Sequence, residues 1–342
     1  MDIRAAIKQV TLSEDLSSDE MIAVMGDIMS GGTTDAQNAA FLIGLQMKGV
    51  KAPEILGGAT VMRELSIKVA AQQGPHLVDT CGTGGSGTNK FNVSTAAAIV
   101  AACAGAKVAK HGNRGATSKS GSADVLEAAG LNLTMSATDV ARAIEEIGVG
   151  FMFAPAHHSA MRHVITARKE IGVRTVFNLL GPLTNPAAAP NQIMGVFEQA
   201  WIPPLLEVSK ELGSNHVLIV SADDGLDEIS IAATTQVGEL KDGEMFSYSV
   251  SPEDFGIERY DNFAELQIDS VEASLVMLKQ ALTYENKAAG DIVALNAGAA
   301  IYVANLSVDL AAGVEQAKEI LSSGAALEKL SELVGFSQSV AN

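Results

Sequence analysis

Residues 76–112 read HLVDTCGTGGSGTNKFNVSTAAAIVAACAGAKVAKHG. A short apolar run, HLVDT, leads into four glycines within residues 82–87. An Ala-rich stretch, STAAAIVAACAG, follows, and then a second short apolar run, AKVAKHG. Short apolar runs bounded by turn residues read as buried strands and a longer one as a helix, so the segment predicts one βαβ unit. Glycine in such a place costs conformational entropy, so the cluster has a cause. One is a tight strand-to-helix turn; another is a backbone that must come close to a ligand such as a phosphate. These residues alone leave both open.

Working outward, the same texture continues. SADVLEAAG (122–130) and IPPLLEVSKELG (202–213) read as helices, and GVGFMFAP (148–155), NQIMGVF (191–197) and HVLIVSADD (216–224) as strands. Strands alternating with helices imply a mostly parallel sheet. VGELKDGEMFSYSV (237–250) carries an Asp-Gly that predicts a surface hairpin, and AAGVEQAKEILSSG (311–324) closes the chain as a helix. Residues 1–70 read as helices only. LSSDEMIAVMGDIMSGG has Ser17 or Ser18 as N-cap and a Gly stop, and TTDAQNAAFLIGLQMKG has Thr34 and Gln37 at capping-box positions. APEILGGATVMRELSIKV (52–69) is a third helix. The expected fold is α/β: a small all-helical N-terminal domain (1–70) and a larger α/β domain (71–342) with a mostly parallel central sheet. There is no internal repeat and no low-complexity linker.

Composition narrows the function. The 342 residues are 47% apolar and 18% charged, enough for a sizeable core. A net charge of −17 argues against nucleic-acid or anionic-membrane partners, and 4% aromatics against base-stacking surfaces. Cys81 and Cys103 make neither a disulfide framework nor a zinc set. No secretory signal or membrane-length apolar run is visible, so a cytoplasmic location is expected.

In open α/β sheets ligands sit beyond the carboxyl ends of strands, which is where the 82–87 turn falls. It is neither a dinucleotide fingerprint nor a Walker A loop. Asn92, Ser94 and Thr95 open the next helix, where N–H groups and hydroxyls hold an anion or orient a metal. AKVAKHGNRGATSKSGSAD (106–124) gathers Lys107, Lys110, His111, Arg114 and Lys119 in a chain with only 23 basic residues. Cations, hydroxyls and glycines together suit a multiply charged phosphate. SADDGLDEIS (221–230) is the densest acidic cluster and points to Mg²⁺ held through carboxylates, water and phosphates. The three histidines of residues 153–186 lack a zinc spacing.

In order, GTGG…FNVST, KHGNR…SKSGSADVLEAAG, FAPAHH, RTVFNLLGPLTNP and DDGLDEIS resemble the anthranilate phosphoribosyltransferase family over most of the chain, and the helical TTDAQNAAFLIGLQMKG segment is similar too. The resemblance implies a nucleoside-phosphorylase-like fold and transfer of the phosphoribosyl group from 5-phosphoribosyl 1-pyrophosphate (PRPP) to anthranilate in tryptophan biosynthesis. It implies Mg²⁺, two ions per subunit, and a homodimer through the helical domain, joined by helices from about 160–185. It leaves no segment for a fused glutaminase domain.

Residue by residue, the resemblance places Gly82, Gly85 and Ser86 in the turn around PRPP, with Lys90 beside them. Asn92, Val93, Ser94 and Thr95 match the segment holding the pyrophosphate. Lys110, His111, Gly112, Asn113, Arg114, Gly115, Ala116, Thr117 and Ser118 match the loop that closes on phosphates, and Ser122 a further contact. Gly82, Asn113 and Arg168 match anthranilate contacts, Arg168 toward its carboxylate in a tunnel. Ser94, Asp227 and Glu228 match the metal ligands, and His111 is the candidate late proton acceptor. Two positions depart: Ser86 stands where the family has Asp, and Lys90 where it has Thr or Ser. Two rival readings remain: a pyrimidine-nucleoside phosphorylase, which KHGNR and FNLLGPLTNP oppose, and a non-enzymatic nucleic-acid binder, which the charge opposes.

Overall fold

The computed structural model of the chain describes residues 1–85, 87–115 and 118–340; Ser86, Ala116 and Thr117 of the expected site lie outside the described residues. The N-terminal part holds α1 (Ile3–Thr11), α2 (Ser18–Ser30), α3 (Asp35–Lys48) and α4 (Ala52–Leu65). Ser17 caps α2 and Thr34 caps α3, each in a reciprocal capping box with Glu20 or Gln37, and α2 stops at Gly31 in the left-handed region. The third expected helix is shorter than its pattern. Beyond Leu65 the chain is extended, with Ile67 N–H donating to His157 O at 2.8 Å and Val69 N–H to Pro186 O at 3.1 Å.

The rest alternates as the texture predicts. It runs β1 (Leu77–Asp79), α5 (Val93–Cys103), β2 (Lys107–Gly112), α6 (Ser122–Ala128), α7 (Ala137–Glu146), β3 (Val149–Phe153), α8 (Ala154–His157), α9 (Ile165–Ile171) and α10 (Phe177–Leu180). Then come β4 (Asn191–Gly195), α11 (Ile202–Glu211), β5 (His216–Ala222), β6 (Thr235–Lys241) and β7 (Glu244–Val250). The seven strands order as β3-β2-β1-β4-β5-β6-β7, the first five parallel and the last two antiparallel. The hairpin β6–β7 turns through Asp242 (φ 52°) and Gly243 (φ 81°), the left-handed pair that an Asp-Gly turn requires.

The chain does not close on residues 311–324 as expected. Four helices follow the sheet: α12 (Val271–Leu282), α13 (Lys287–Val303), α14 (Leu310–Ser323) and α15 (Ala325–Ser339). α13 is buried on nearly every face, and its Ala- and Gly-rich surface packs against α5 and α14.

Buried apolar residues form two clusters. One joins α5 and the C-terminal helices to one face of the sheet. The other runs from Met21, Phe41 and Ile55 through Phe177 and Leu180 to Met194 and Leu206, tying the N-terminal helices to the opposite face. The 159–180 segment sits against those helices, with Asn38 Nδ2 donating to His163 O at 3.2 Å. Arg63 Nε on α4 donates to Leu183 O at 2.6 Å, closing the same seam.

Strand order reverses between β1 and β4, so the carboxyl ends of these two neighbours are the switch point where an open α/β sheet leaves a crevice.

Candidate functional site

At that switch point three backbones meet with no room for side chains. A Cβ on Gly82, just past β1, would lie 2.7 Å from Gly195 O, and one on Gly195 would lie 1.7 Å from Asp227 O. Thr83 N–H donates to Gly195 O at 2.8 Å. Glycine is therefore required by close approach, and the approach seats the acidic 227–228 turn beside the glycine turn. Above them opens a cavity of about 870 Å³.

Of the residues singled out in the sequence, Gly82, Gly85, Lys90, Asn92, Val93 and Ser94 line the cavity from the first βα connection. Lys110, His111, Gly112, Asn113, Arg114, Gly115, Ser118 and Ser122 line it from β2 and its loop, and Arg168, Asp227 and Glu228 from further along the chain. Thr95 does not. It is buried as the third residue of α5, and its hydroxyl has no hydrogen-bond partner among the described residues.

The floor is a buried charge cluster. Lys90 Nζ lies 2.5 Å from Asp227 Oδ1 and 3.9 Å from Glu228 Oε1, all three side chains being nearly buried. Burial alone would depress the Lys90 ammonium, but Asp227 and then Glu228 hold it above its ordinary value. Burial pushes the Glu228 carboxyl up to about 7, with Lys90 opposing and Asp227 adding to the rise. Lys110 donates to Thr80 O at 3.2 Å, Thr80 Oγ1 at 3.1 Å and Ser94 Oγ at 3.4 Å, and burial lowers its pKa. Below it Asp79 is pushed up to about 6 by burial, against the opposing Asn185 hydrogen bond at 2.6 Å and Lys110. Asp79 also accepts from the His111 N–H at 3.2 Å, so it fixes the start of the basic loop.

One wall is anionic-ligand chemistry. α5 begins at the cavity with no side-chain cap; Val93 N–H donates to Phe91 O at 2.8 Å and Thr95 N–H to Asn92 O at 3.1 Å, so the helix offers its positive dipole end there. The Asn92 amide is not free for a ligand. Its Oδ1 accepts from Ser120 Oγ at 2.8 Å and Ser274 Oγ at 2.7 Å, anchoring the basic loop to α12. The Arg114 guanidinium, expected at phosphate, is held by Glu127 at 2.6 and 3.0 Å and Asp124 at 3.0 Å on the exposed rim. Asp124 also accepts from Gly115 N–H at 2.8 Å and Gly121 N–H at 2.9 Å, which shapes the loop.

The remaining wall combines neutral histidines and aromatic rings with arginines. The His111 and His158 rings stand 5.1 Å apart, and neither His111 ring nitrogen nor His158 Nε2 completes a hydrogen bond among the described residues. Burial, with the neighbouring histidines, pushes His111 down to about 3 and His158 to about 4, so both are neutral imidazoles. Arg168 lies over the Phe177 ring at 5.0 Å and has no carboxylate partner among the described residues; burial lowers its pKa. Arg174 donates to Gly85 O, lies 4.2 Å over the Phe197 ring and pairs with Glu198 at 3.5 Å, bracing the glycine turn.

Asp79, His158, Arg174, Asn185 and Ser274 escaped the sequence reading. Only Asp79 carried a local signal: it is a carboxylate at the carboxyl end of an otherwise apolar buried run.

Known proteins resemble this chain in sequence and in fold. Residues 74–327 match the glycosyl transferase family α/β domain, and residues 4–66 its helical bundle domain. The anthranilate phosphoribosyltransferase of Thioalkalivibrio sulfidiphilus is 56% identical over 99% of this chain and 100% of its own length. The crystal structure of that enzyme from Thermus thermophilus superposes with a TM-score of 0.91 at 41% identity, over 97% of this chain and 99% of the other. The Saccharomyces cerevisiae enzyme solved in complex with PRPP and Mg superposes with a TM-score of 0.89 at 28% identity, over 98% of both chains; it is also solved in complex with 4-fluoroanthranilate. By sequence and by fold, along almost its whole length, the chain belongs to the anthranilate phosphoribosyltransferase family.

Proposed function

We propose that this chain transfers the phosphoribosyl group of PRPP to anthranilate, giving N-(5-phosphoribosyl)anthranilate and pyrophosphate, as a cytoplasmic step of tryptophan biosynthesis. The observation that carries the reading is one cavity that joins an α-helix N-terminus and a cationic loop to a recess holding a guanidinium with no carboxylate partner among the described residues. Such a cavity suits a polyanion and a small aromatic acid side by side. The test is loss of anthranilate fluorescence on mixing with PRPP and Mg²⁺; turnover of a pyrimidine nucleoside with phosphate, and none here, overturns it.

The mechanism follows from the chain's own groups. The α5 N-terminus, Lys110 and the 110–118 loop hold the pyrophosphate, and the glycine turn of Gly82 and Gly85 admits it to the backbone. Arg168 orients the anthranilate carboxylate so that the amine faces the ribose C1. The amine attacks as the C1–O bond to pyrophosphate breaks, and the amine then loses a proton. A neutral His111 accepts a hydrogen bond from that amine and becomes a better base once the ortho carboxylate lies near it. Mg²⁺, when bound, neutralises charge on the departing pyrophosphate. The under-compensated Glu228 carboxyl suits such an ion, and Glu228 and Ser94 would hold it, with Asp227 adjoining. Two ions there, as the resemblance implies, would have to share these oxygens with Lys90.

The helical unit, residues 1–70, joined by the 160–185 segment, is proposed as the homodimer contact, supported by exposed Leu12 (61%) and Met47 (83%). Residues 71–342 are the proposed catalytic domain. No helix among the described residues is long and apolar enough to cross a membrane.

Two expectations arise here. Arg168→Lys should raise the KM for anthranilate about tenfold and leave that for PRPP unchanged, because a point charge cannot reproduce a bidentate carboxylate clamp. Equal effects on both substrates in steady-state kinetics remove the role. Arg114 must leave Glu127 to reach a phosphate. Glu127→Gln should therefore lower the KM for PRPP, by about two- to fivefold for an exposed pair, while Arg114→Ala raises it. Unchanged values in both variants would leave Arg114 a rim residue only.

A further inference from the structure

Lys90 is held from both sides before its side chain is considered. Its backbone bridges to Gln267, Phe91 N–H donates to Leu266 O at 3.0 Å, and Ile268 N–H donates to Asn89 O at 2.7 Å. This clamp aims the ammonium into the floor of the cavity, at 2.5 Å from Asp227 and 3.9 Å from Glu228. The side chains of Lys90, Asp227 and Glu228 are only 10%, 8% and 12% exposed. An ammonium at that distance from a carboxylate oxygen occupies the direction from which a divalent ion would be ligated. Lys90 stands closer to Asp227 than to Glu228, so Asp227 is the better compensated carboxylate and the Glu228 oxygens are the less occupied.

We infer that Lys90 is a built-in cation that takes one of two cation positions on the Asp227–Glu228 pair, leaving the chain a single divalent-ion position at Glu228 and Ser94. The inference rests on the reading of this floor as the magnesium site. A tethered ammonium differs from a bound ion in three ways. It cannot be removed by chelation, it does not exchange with product, and its occupancy does not depend on free Mg²⁺. The lysine thus supplies one of the three positive charges on this acidic pair through the covalent chain, the divalent ion supplying the other two.

The test counts ions rather than turnovers. Mn²⁺ bound per subunit is measured by electron paramagnetic resonance after equilibrium dialysis, first with Mn²⁺ alone and then with PRPP. Wild type should bind one Mn²⁺, Lys90→Arg one, and Lys90→Thr two. The melting temperature of Lys90→Thr should fall in EDTA and recover with Mn²⁺ more than that of wild type. Two ions in wild type, or equal numbers in wild type and Lys90→Thr, overturn the role of Lys90 but keep the metal site. No ion in wild type under either condition overturns the magnesium reading itself. If Lys90→Thr does not fold, the wild-type count of one or two still decides.

Discussion

Glu228→Gln should cut kcat/KM for PRPP by about 10²–10³-fold, the scale set by removing one preorganised electrostatic group from a transition-state site. An amide cannot offer a divalent ion the charge that the carboxylate does. The variant should nevertheless fold at least as well as wild type in EDTA. The folded-state pKa of Glu228 is raised from 4.5 to about 7 by burial, so between those values the native chain binds more protons than the unfolded one. Stability then falls as pH rises through that window, and above it the buried charge is a standing cost. The glutamine variant lacks this slope. Melting temperatures from pH 5 to pH 8 should decline less in Glu228→Gln than in wild type, while the smaller decline due to Asp79, raised to about 6, persists in both. Changing Asp227 as well would be a poorer experiment, because the buried Lys90 would lose both counter-charges and the fold would suffer by about 3–5 kcal/mol. A Glu228→Gln variant with wild-type kinetics in Mg²⁺ would sever Glu228 from the metal.

Gly195→Ala carries the second large effect, and it acts through geometry alone. The added methyl would meet the Asp227 carbonyl oxygen at 1.7 Å and its carbon at 2.6 Å, distances that force the 227–228 turn away from β4. Overpacking of this kind costs about 1–3 kcal/mol or more. A shift of order 1 Å in the floor should cost about 10²-fold in rate. Urea unfolding with parallel kinetics measures both. Gly335→Ala on α15, where an added Cβ meets nothing within 4 Å, is the control; it should be neutral or gain up to about 1 kcal/mol from helix propensity. If the two alanine variants behave alike, the close meeting of β1, β4 and the acidic turn does not shape the site.

The parts of this molecule that were legible in sequence are those fixed by local chemistry. The Thr34/Gln37 capping box, the Asp242-Gly243 hairpin and the strand–turn–helix–strand of residues 76–112 each specify themselves within a few residues. The SIKV end of the third helix was misread because its apolar spacing continues the helical pattern, while His157 and Pro186 carbonyls, far along the chain, claim its N–H groups. The C-terminal helices were under-read for a related reason. α13 is buried on nearly all sides and so shows no amphipathic period. In the site, residue types were legible and partnerships were not. Lys90 was expected to face a phosphate and instead meets Asp227, 137 positions away. Arg114 was expected at the same ligand and rests on Glu127.

α5, whose N-terminus lies at the anion wall, is largely apolar and is enclosed by α12, α13, α14 and α15. The helix ends about 170 residues before the first of the helices that cover it, α12. During synthesis the catalytic half of the βαβ unit therefore waits, sticky and unsheltered, until the last quarter of the chain is made. Such distant closures fold slowly and leave aggregation-prone surface in the interval. Ribosome-bound nascent chains ending before residue 287 should bind chaperones at α5 and lack the site entirely. Catalytic competence in this fold arrives all at once, with the tail.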